Sequence, residues 1–371
     1  MQIQCDREKL QRAFQTAASV VPARSPKAIL RNVKLETTDD GITLMATDLE
    51  VGIRVDAAGF EVMEPGRALL PVDRVGSILR EAPDEKLTIQ SDGRRVIIEG
   101  HQSKFQLPAE DPLAYPDVQA FDAEAYHEVS ARAFRELGHR TVFATDNEST
   151  RYALGGVLLE LGDEEITGVG TDGRRLAKQT APAKSVGAPA SGDEMTIVPS
   201  RAMHLLERAL GENDEDIQLA VRDNAVLVRS QRTTVYARLI EGRFPNWRGV
   251  FPRSEDMTRI NLVVGTFHGA VRQAAIVISE ERRGVDFKFG DGKLEMVGQG
   301  GELGESRVEL PIAHDAGEIT IRLDPRYVGD FLKALEPDQN IVMEVKDGET
   351  AAVCKTEDGY DYVIMPLSQG Q

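Results

Sequence analysis

Apolar positions along this chain follow two alternating rhythms, and the alternation itself recurs. The segment Arg7 to Val21 sets Leu10, Phe14 and Ala17 at helical spacing. Ala131 to Thr145 does the same with Phe134, Leu137 and Val142, and Thr266 to Ser279 with Ala270, Ala274 and Val277. Strand-like alternation follows each of them, broken at an acidic or glycine-bearing turn. Leu30 to Val55, Leu154 to Gln179 and Arg283 to Leu310 each read as a strand, a hairpin turn and two further strands. A short amphipathic helix entered from a strand comes next, in LLPVDRVGSIL from Leu69, IVPSRAMHLLERAL from Ile197 and IRLDPRYVGDFLKAL from Ile321.

Equivalent anchors give the period. Thr47 to Thr171 is 124 residues, Val72 to Pro199 is 127 and Pro199 to Pro325 is 126. Hairpins share turn chemistry wherever they occur, but chance likeness would not keep the helices in the same order and phase. The pattern predicts an α+β chain of three similar domains, 1–120, 121–252 and 253–371, each of common domain size. Each contains helix, strands, helix, strands, a smaller β-α-β-β-β element used twice.

Composition narrows the class. The opening MQIQCDREKL has no apolar signal core, and no run approaches the roughly 18 apolar residues of a membrane span. A soluble, cytoplasmic protein with no membrane partner is expected. Cys5 and Cys354 are far apart in strand-like segments, where cysteine serves as a small buried hydrophobe, so neither disulfide nor thiol chemistry is expected.

The 371 residues carry a net charge of −17, yet the six helical segments together carry +7 and the remainder −24. Arginine and lysine favour helices, but so does glutamate. The asymmetry of sign points to helices that share one surface facing a polyanion.

The usual catalytic constellations are missing. No G-x-x-x-x-G-K-[ST] string occurs, and the glycine-rich stretches 168–173 (GVGTDG) and 298–304 (GQGGELG) read as turns between strands. The histidines His101, His127, His139, His204, His268 and His314 show no ligand spacing, so neither metal nor cofactor is expected. Asp48 and Asp172 occupy equivalent T-D turns and could pass for a carboxylate pair, although aspartate there usually caps backbone amides. Acidic runs at Asp39-Asp40, Asp163 to Glu165 and Asp214 to Asp216, and the Pro182 to Asp193 stretch, read as solvated loops.

Joined in an arc with sheets outside, the helices of three units could line an inner face. With packed helices ~10 Å apart, six axes make a circle ~19 Å across, leaving ~9 Å free. A duplex needs at least ~16 Å for two groove depths back to back. Twelve helices from two chains give an opening of roughly 28 Å on the same spacing. A head-to-tail pair of chains could therefore close around DNA.

Six strings in order, TDLE (47 to 50), RYALGG (151 to 156), TDGRRLA (171 to 177), EGRFPNW (241 to 247), RRGV (282 to 285) and YVIMPL (362 to 367), lie on this repeat. Through them the chain resembles the bacterial DNA polymerase III beta subunit, the sliding clamp family, over essentially its full length. The resemblance implies a DNA clamp fold with two helices on the inner face of each domain and antiparallel sheets outside, closed as a head-to-tail homodimer of six domains. It implies a non-catalytic processivity factor on double-stranded DNA, without sequence specificity. The partners implied are the replicative polymerase catalytic subunit, a clamp-loader ATPase complex, and other polymerases and repair proteins bearing clamp-binding peptides.

It further implies a hydrophobic peptide pocket between the second and third domains. Transferred position by position, this comprises Leu154, Thr171, Gly173, Arg174, Arg175, Leu176, Pro245, Val250, Tyr327, Val363, Ile364, Met365, Pro366 and Leu367. By the residues alone, VIMPL also reads as a core strand ending at Pro366. Arg24, Arg151, Tyr152 and Arg201 match DNA-contact positions, and Arg7, Arg12, Arg132, Arg135, Arg140, Arg272, Arg326 and Lys333 are further helix-borne candidates. Phe105 and Leu107 are expected to meet Ile276 and Val277 of a second chain. Two departures stand out: Gly249 where relatives often carry arginine, and an ending Leu367-Ser368-Gln369-Gly370-Gln371 in place of a basic one. The competing readings are a monomeric three-domain scaffold and a hydrolase using Asp48 or Asp172 in a cleft.

Overall fold

The computed structural model describes residues 1–38, 41–146, 148, 153–187, 195–210, 215–314 and 317–368, the side chains at 38 and 254 excepted. Asp39, Asp40, Asp214, half of the Pro182 to Asp193 stretch (188–193), Arg151, Tyr152 and the last three residues lie outside the described residues, and the first half of that stretch is no loop, since the strand Arg175–Val186 runs through it and pairs with Tyr126–Ser130. Six α-helices occur among those described: α1 Arg7–Ala18, α2 Val72–Glu81, α3 Ala131–Thr141, α4 Ser200–Ala209, α5 Val264–Ala274 and α6 Pro325–Lys333. They are the six that periodicity predicts, and the first-type helices α3 and α5 each run on into a 3-10 turn, Val142–Ala144 and Ala275–Val277. None is long and apolar enough to cross a membrane.

The chain gathers into two compact bodies, one of Met1–Arg135, Ala183–Ser191 and Arg201–Leu239, the other of Glu136–Pro182, Gly192–Ser200 and Ile240–Gln371. In the first body an antiparallel sheet runs Phe60–Glu64, Gln2–Asp6, Lys86–Ser91, Arg95–Glu99, Lys104–Pro108. A second runs from Tyr126–Ser130 through Asp216–Arg222, Ala225–Arg229, Thr233–Arg238, Val51–Ala57, Gly41–Thr47 and Asn32–Thr38 to Gly66–Pro71. Helices α1 and α2 pack together, burying Leu10, Phe14 and Ala17 on one and Val75, Ile78 and Leu79 on the other.

The second body repeats the scheme. Its four-stranded sheet runs Glu305–Pro311, Lys293–Gln299, Val285–Gly290, Ile319–Leu323, and α5 packs on α6 through Phe267, Ala270, Ala274, Val328 and Phe331. Helix starts follow local chemistry. Asp6 accepts from the Lys9 amide at 3.0 Å, and Asp324 accepts from the Arg326 amide with Pro325 in the first turn. Helix α5 has no side-chain cap; its first two amides donate instead to the carbonyls of Gln339 and Pro337.

A second expectation is corrected. The 168–173 stretch is a turn only at its end, for Gly168 and Gly170 lie inside the strand Glu165–Thr171. A Cβ on Gly168 would stand 2.4 Å from the Leu137 side chain, and one on Gly170 2.1 Å from the Thr141 carbonyl. Bare backbone is what lets helix α3 lie this close to the strand. Cys5 and Cys354 are buried and unpaired, and burial pushes both thiols up to about 12.

Candidate functional site

The Thr171 turn is held by its own side chains. Thr171 Oγ1 donates to the Arg175 carbonyl and accepts from the Gly173 amide, while Asp172 Oδ1 accepts from the amides of Arg174 and Arg175. Gly173 sits at φ +84°, a backbone shape that favours glycine. The Asp48 turn is built alike, with Oδ1 accepting from Glu50 and Val51 and Oδ2 paired to Arg201. Both carboxylates thus serve as turn fasteners, each engaged by two backbone amides and an arginine, as capping aspartates rather than cleft acids or bases.

The turn leads into the strand Arg175–Val186, whose first residues pair with Tyr360–Ile364 in the register Arg175 to Ile364 and Leu176 to Val363. The ladder continues past the strand, since the Met365 amide donates to the Arg174 carbonyl at 2.9 Å and the Leu367 amide to the Arg322 carbonyl at 2.9 Å. Residues nearly 200 apart in sequence are thereby brought side by side. Leu154, Leu176 and Val363 belong to one buried apolar cluster with Leu158, Val169, Phe244 and Trp247. Around it Met365 is 41% and Val250 38% exposed, Pro245, Pro366 and Leu367 are half-buried, and Gly173 and Arg174 are exposed. VIMPL is accordingly two things at once: Val363 and Ile364 are core, and Met365 turns outward.

Arg175 has a structural post. Its guanidinium donates to Asp172 at 3.1 Å, to Asp330 at 2.7 Å and to the Phe143 carbonyl at 2.9 Å, and lies over the rings of Tyr327 at 4.5 Å and Phe143 at 5.4 Å. It therefore orients Tyr327, which the Tyr362 hydroxyl also holds through its carbonyl at 3.0 Å.

Sequence reasoning passed over the neighbours of Val250. Trp247 Nε1 donates to Glu160 at 3.0 Å, Arg248 forks onto both oxygens of Glu160 at 2.8 and 2.6 Å, and the same guanidinium stacks on the Trp247 ring at 4.3 Å. Phe251 meets Trp247 edge-on at 6.1 Å. This clamp fixes the 3-10 turn Trp247–Val250 that carries Val250. The signal was the chain's single tryptophan in an aromatic-rich loop, EGRFPNWRGVF.

The basic candidates divide by environment. Arg24 is exposed, and Arg201 pairs with Asp48 and reaches the Val20 carbonyl at 3.3 Å, close in sequence to Arg24. Arg12, Arg132 and Arg272 are exposed on their helices, and Arg135 is half-buried. Arg326 chelates Asp324 and Lys333 pairs with Asp330. Arg7 is turned onto the carbonyls of Leu79 and Asp84. Arg140 is withdrawn as a surface charge, because its side chain is 6% exposed and bound to Glu136, Gln179 and Asp358. Phe105 and half-buried Leu107 lie on the edge strand Lys104–Pro108; Ile276, 77% exposed, and half-buried Val277 lie on the turn after α5.

Comparison with known proteins covers this architecture end to end. Residues 1–119, 128–246 and 248–368 match the N-terminal, central and C-terminal domain models of the DNA polymerase III beta subunit. The chain is 27% identical to the beta sliding clamp of Pseudomonas aeruginosa and 26% to that of Escherichia coli K12, in each case over 99% of this chain and 100% of the relative. The P. aeruginosa DNA polymerase III subunit beta superposes with a TM-score of 0.90 at 25% identity, covering 99% of this chain and 100% of that one. The same organism's clamp solved with griselimycin bound superposes at 0.91, with 25% identity and 99% coverage of both chains. The Bacillus subtilis clamp, 21% identical, shares the fold at a TM-score of 0.92 over 100% of this chain and 99% of that one. With three consecutive domain models spanning nearly every residue, the chain belongs to the DNA polymerase III beta subunit family.

Proposed function

We propose that the protein is a non-catalytic, cytoplasmic processivity factor: a homodimeric ring of six domains, bounded in each chain at 1–120, 121–252 and 253–371. The ring encircles double-stranded DNA and tethers the replicative polymerase catalytic subunit. A clamp-loader ATPase complex opens it, and other polymerases and repair proteins use the same docking groove. The observation that carries this reading is the meeting of the Thr171–Leu176 turn with Val363–Leu367 over an apolar floor, in a chain matched along its length by this family.

Each assigned residue has a physical task. Leu154, Leu176 and Val363 form the groove floor, with Met365 and Val250 as exposed walls. Two or three apolar anchors at roughly 1.5–3 kcal/mol each, less the ordering of a flexible tail, give about micromolar affinity. Weak binding lets partners exchange, while two grooves per ring supply avidity. Arg24, Arg151, Tyr152 and Arg201 contact phosphates, which hold DNA without reading sequence. The edges Lys104–Pro108 and Glu305–Pro311 each pair on one side only and offer unpaired backbone to a second chain. Phe105 and Leu107 then meet Ile276 and Val277 of that chain.

The test is retention on nicked circular DNA after loading with the cognate ATPase and ATP. Salt-resistant retention that vanishes when the circle is cut establishes a topological link. Equal, salt-sensitive retention on both forms would withdraw the ring.

A further inference from the structure

The first body contains a cavity of about 210 Å³ lined by Thr47, Leu49, Gly52, Pro116, Asp117, Val118, Gln119 and Tyr236. It is the counterpart, within that body, of the groove in the other. Thr47 Oγ1 bonds the Val51 carbonyl and the Leu49 amide, as Thr171 Oγ1 bonds the Arg175 carbonyl and the Gly173 amide. Tyr236 pairs with Gly52 where Val363 pairs with Leu176. The Arg238 amide donates to the Glu50 carbonyl at 2.9 Å, as Met365 does to Arg174.

Against this shared frame three residues differ in kind. Gly52 replaces Leu176, and the Val118 side chain takes the space a side chain would fill there, since a Cβ would stand 2.8 Å from Val118 Cγ1. Leu49 adopts φ +84°, the value Gly173 holds, and is 44% exposed: a strained backbone presents an isobutyl group at the rim. The turn Thr-Asp-Leu-Glu is acidic where Thr-Asp-Gly-Arg-Arg is basic. Asp117 adds a fully exposed carboxylate at the mouth, its nearest cation Lys34 3.8 Å away at the limit of an ion pair. The walls are preformed, because the Tyr115 hydroxyl accepts from Thr47 and donates to the Asn32 carbonyl, and Arg54 holds the Val118 carbonyl.

We propose that this cavity seats an arginine side chain from an extended segment of a partner protein. At about 210 Å³ it is smaller than sites for drug-sized ligands, which begin near 300 Å³, and suits one long side chain. The aliphatic stem lies against Leu49 and Pro116, the guanidinium stacks on Tyr236, and its fork meets Asp117. The frame comparison rests on the peptide-groove reading above; the cavity and its charge do not. The chain thus offers two seats of opposite preference, one for apolar anchors and one for a basic residue.

The test uses the full chain and fluorescence anisotropy with a labelled peptide carrying one arginine between two leucines, and a twin with glutamate in its place. The arginine peptide is expected to bind, with Asp117→Lys weakening it roughly tenfold or more by reversing the charge at the mouth. Leu49→Gly, which relieves the backbone, should weaken it several-fold while thermal unfolding is unimpaired. Equal binding of the twin, or indifference to Asp117→Lys, overturns the proposal, as does equal competition by free arginine amide, which would mark a small-cation site. A parallel titration with a glutamine- and leucine-bearing peptide on wild type and Met365→Ala reads the other groove separately, so either seat can fail alone.

Discussion

The backbone amide of Met365 donates to the carbonyl of Arg174 at 2.9 Å, fastening the end of the chain to a turn that precedes it by 191 residues. The bond uses the main chain of both residues and leaves both side chains at the surface. Met365→Ala should therefore leave folding and dimerisation unchanged while weakening a glutamine- and leucine-bearing peptide at least several-fold by calorimetry. Unchanged affinity would place the docking surface elsewhere.

Arg175 should behave in the opposite way to its neighbour. Its guanidinium is 11% exposed and bridges Asp172 and Asp330, so Arg175→Ala removes that bridge and frees Tyr327, while Asp172 keeps its two backbone amides and Asp330 keeps Lys333. A loss of about 1–3 kcal/mol in denaturant unfolding is expected from the broken network, against a few tenths for exposed Arg174→Ala. Equal small losses would mean that the network is slack.

Gly170→Ala tests the approach of α3 to its strand. The added methyl would overlap the Thr141 carbonyl, which as backbone cannot swing aside. Destabilisation of about 1–3 kcal/mol or more is expected, measured by thermal melting, whereas open Gly329, with no neighbour near its Cβ position, should accept alanine.

Arg24→Ala and Arg140→Ala should separate DNA contact from architecture. The first should lower affinity for any duplex sequence alike and reduce the salt slope by about one. The second should leave DNA affinity intact and lower stability, since its guanidinium is spent on buried Gln179 and on the Asp358 turn of the same fold. Anisotropy across a salt series, with unfolding curves for both variants, decides.

Acid sensitivity should follow the turn carboxylates. Asp92 is held at about 2, below its ordinary 3.8, chiefly by the Arg94 amide, and Asp6 and Asp347 are lowered first by the amides of Lys9 and Thr350. Because the folded values lie below the unfolded ones, this stabilisation is complete above about pH 4 and fades as pH falls toward 2. Asp92→Asn keeps an acceptor but removes the titration, so its urea midpoint should fall less steeply across that window.

Helices were legible in the sequence because each buries its own stripe: Leu10, Phe14 and Ala17 need only local spacing to declare a face. The register joining Leu176 to Val363 was not, since strand pairing across such a separation leaves no periodic trace. The VIMPL segment could be read as core or as groove, and its strand end makes it both. The Glu160, Trp247 and Arg248 clamp stayed hidden for the same reason: an acidic residue on one strand meets an arginine 88 positions later. Arg140 misled because charge on a helix was counted before its face was known, and its face points inward.

In the turns at Asp48, Asp92 and Asp172, one carboxylate oxygen accepts two backbone amides and the other meets an arginine: Arg201, Arg95 and Arg175. Loop shape is thus written in the aspartate and in the left-handed backbone of the residue after it, while the side chains at the two positions that follow the aspartate make no hydrogen bond within the turn. Those positions hold Leu49 and Glu50, Gly93 and Arg94, Gly173 and Arg174. Three loops of one shape can in this way carry three different messages, and a lineage can rewrite each message without redrawing the sheets beneath.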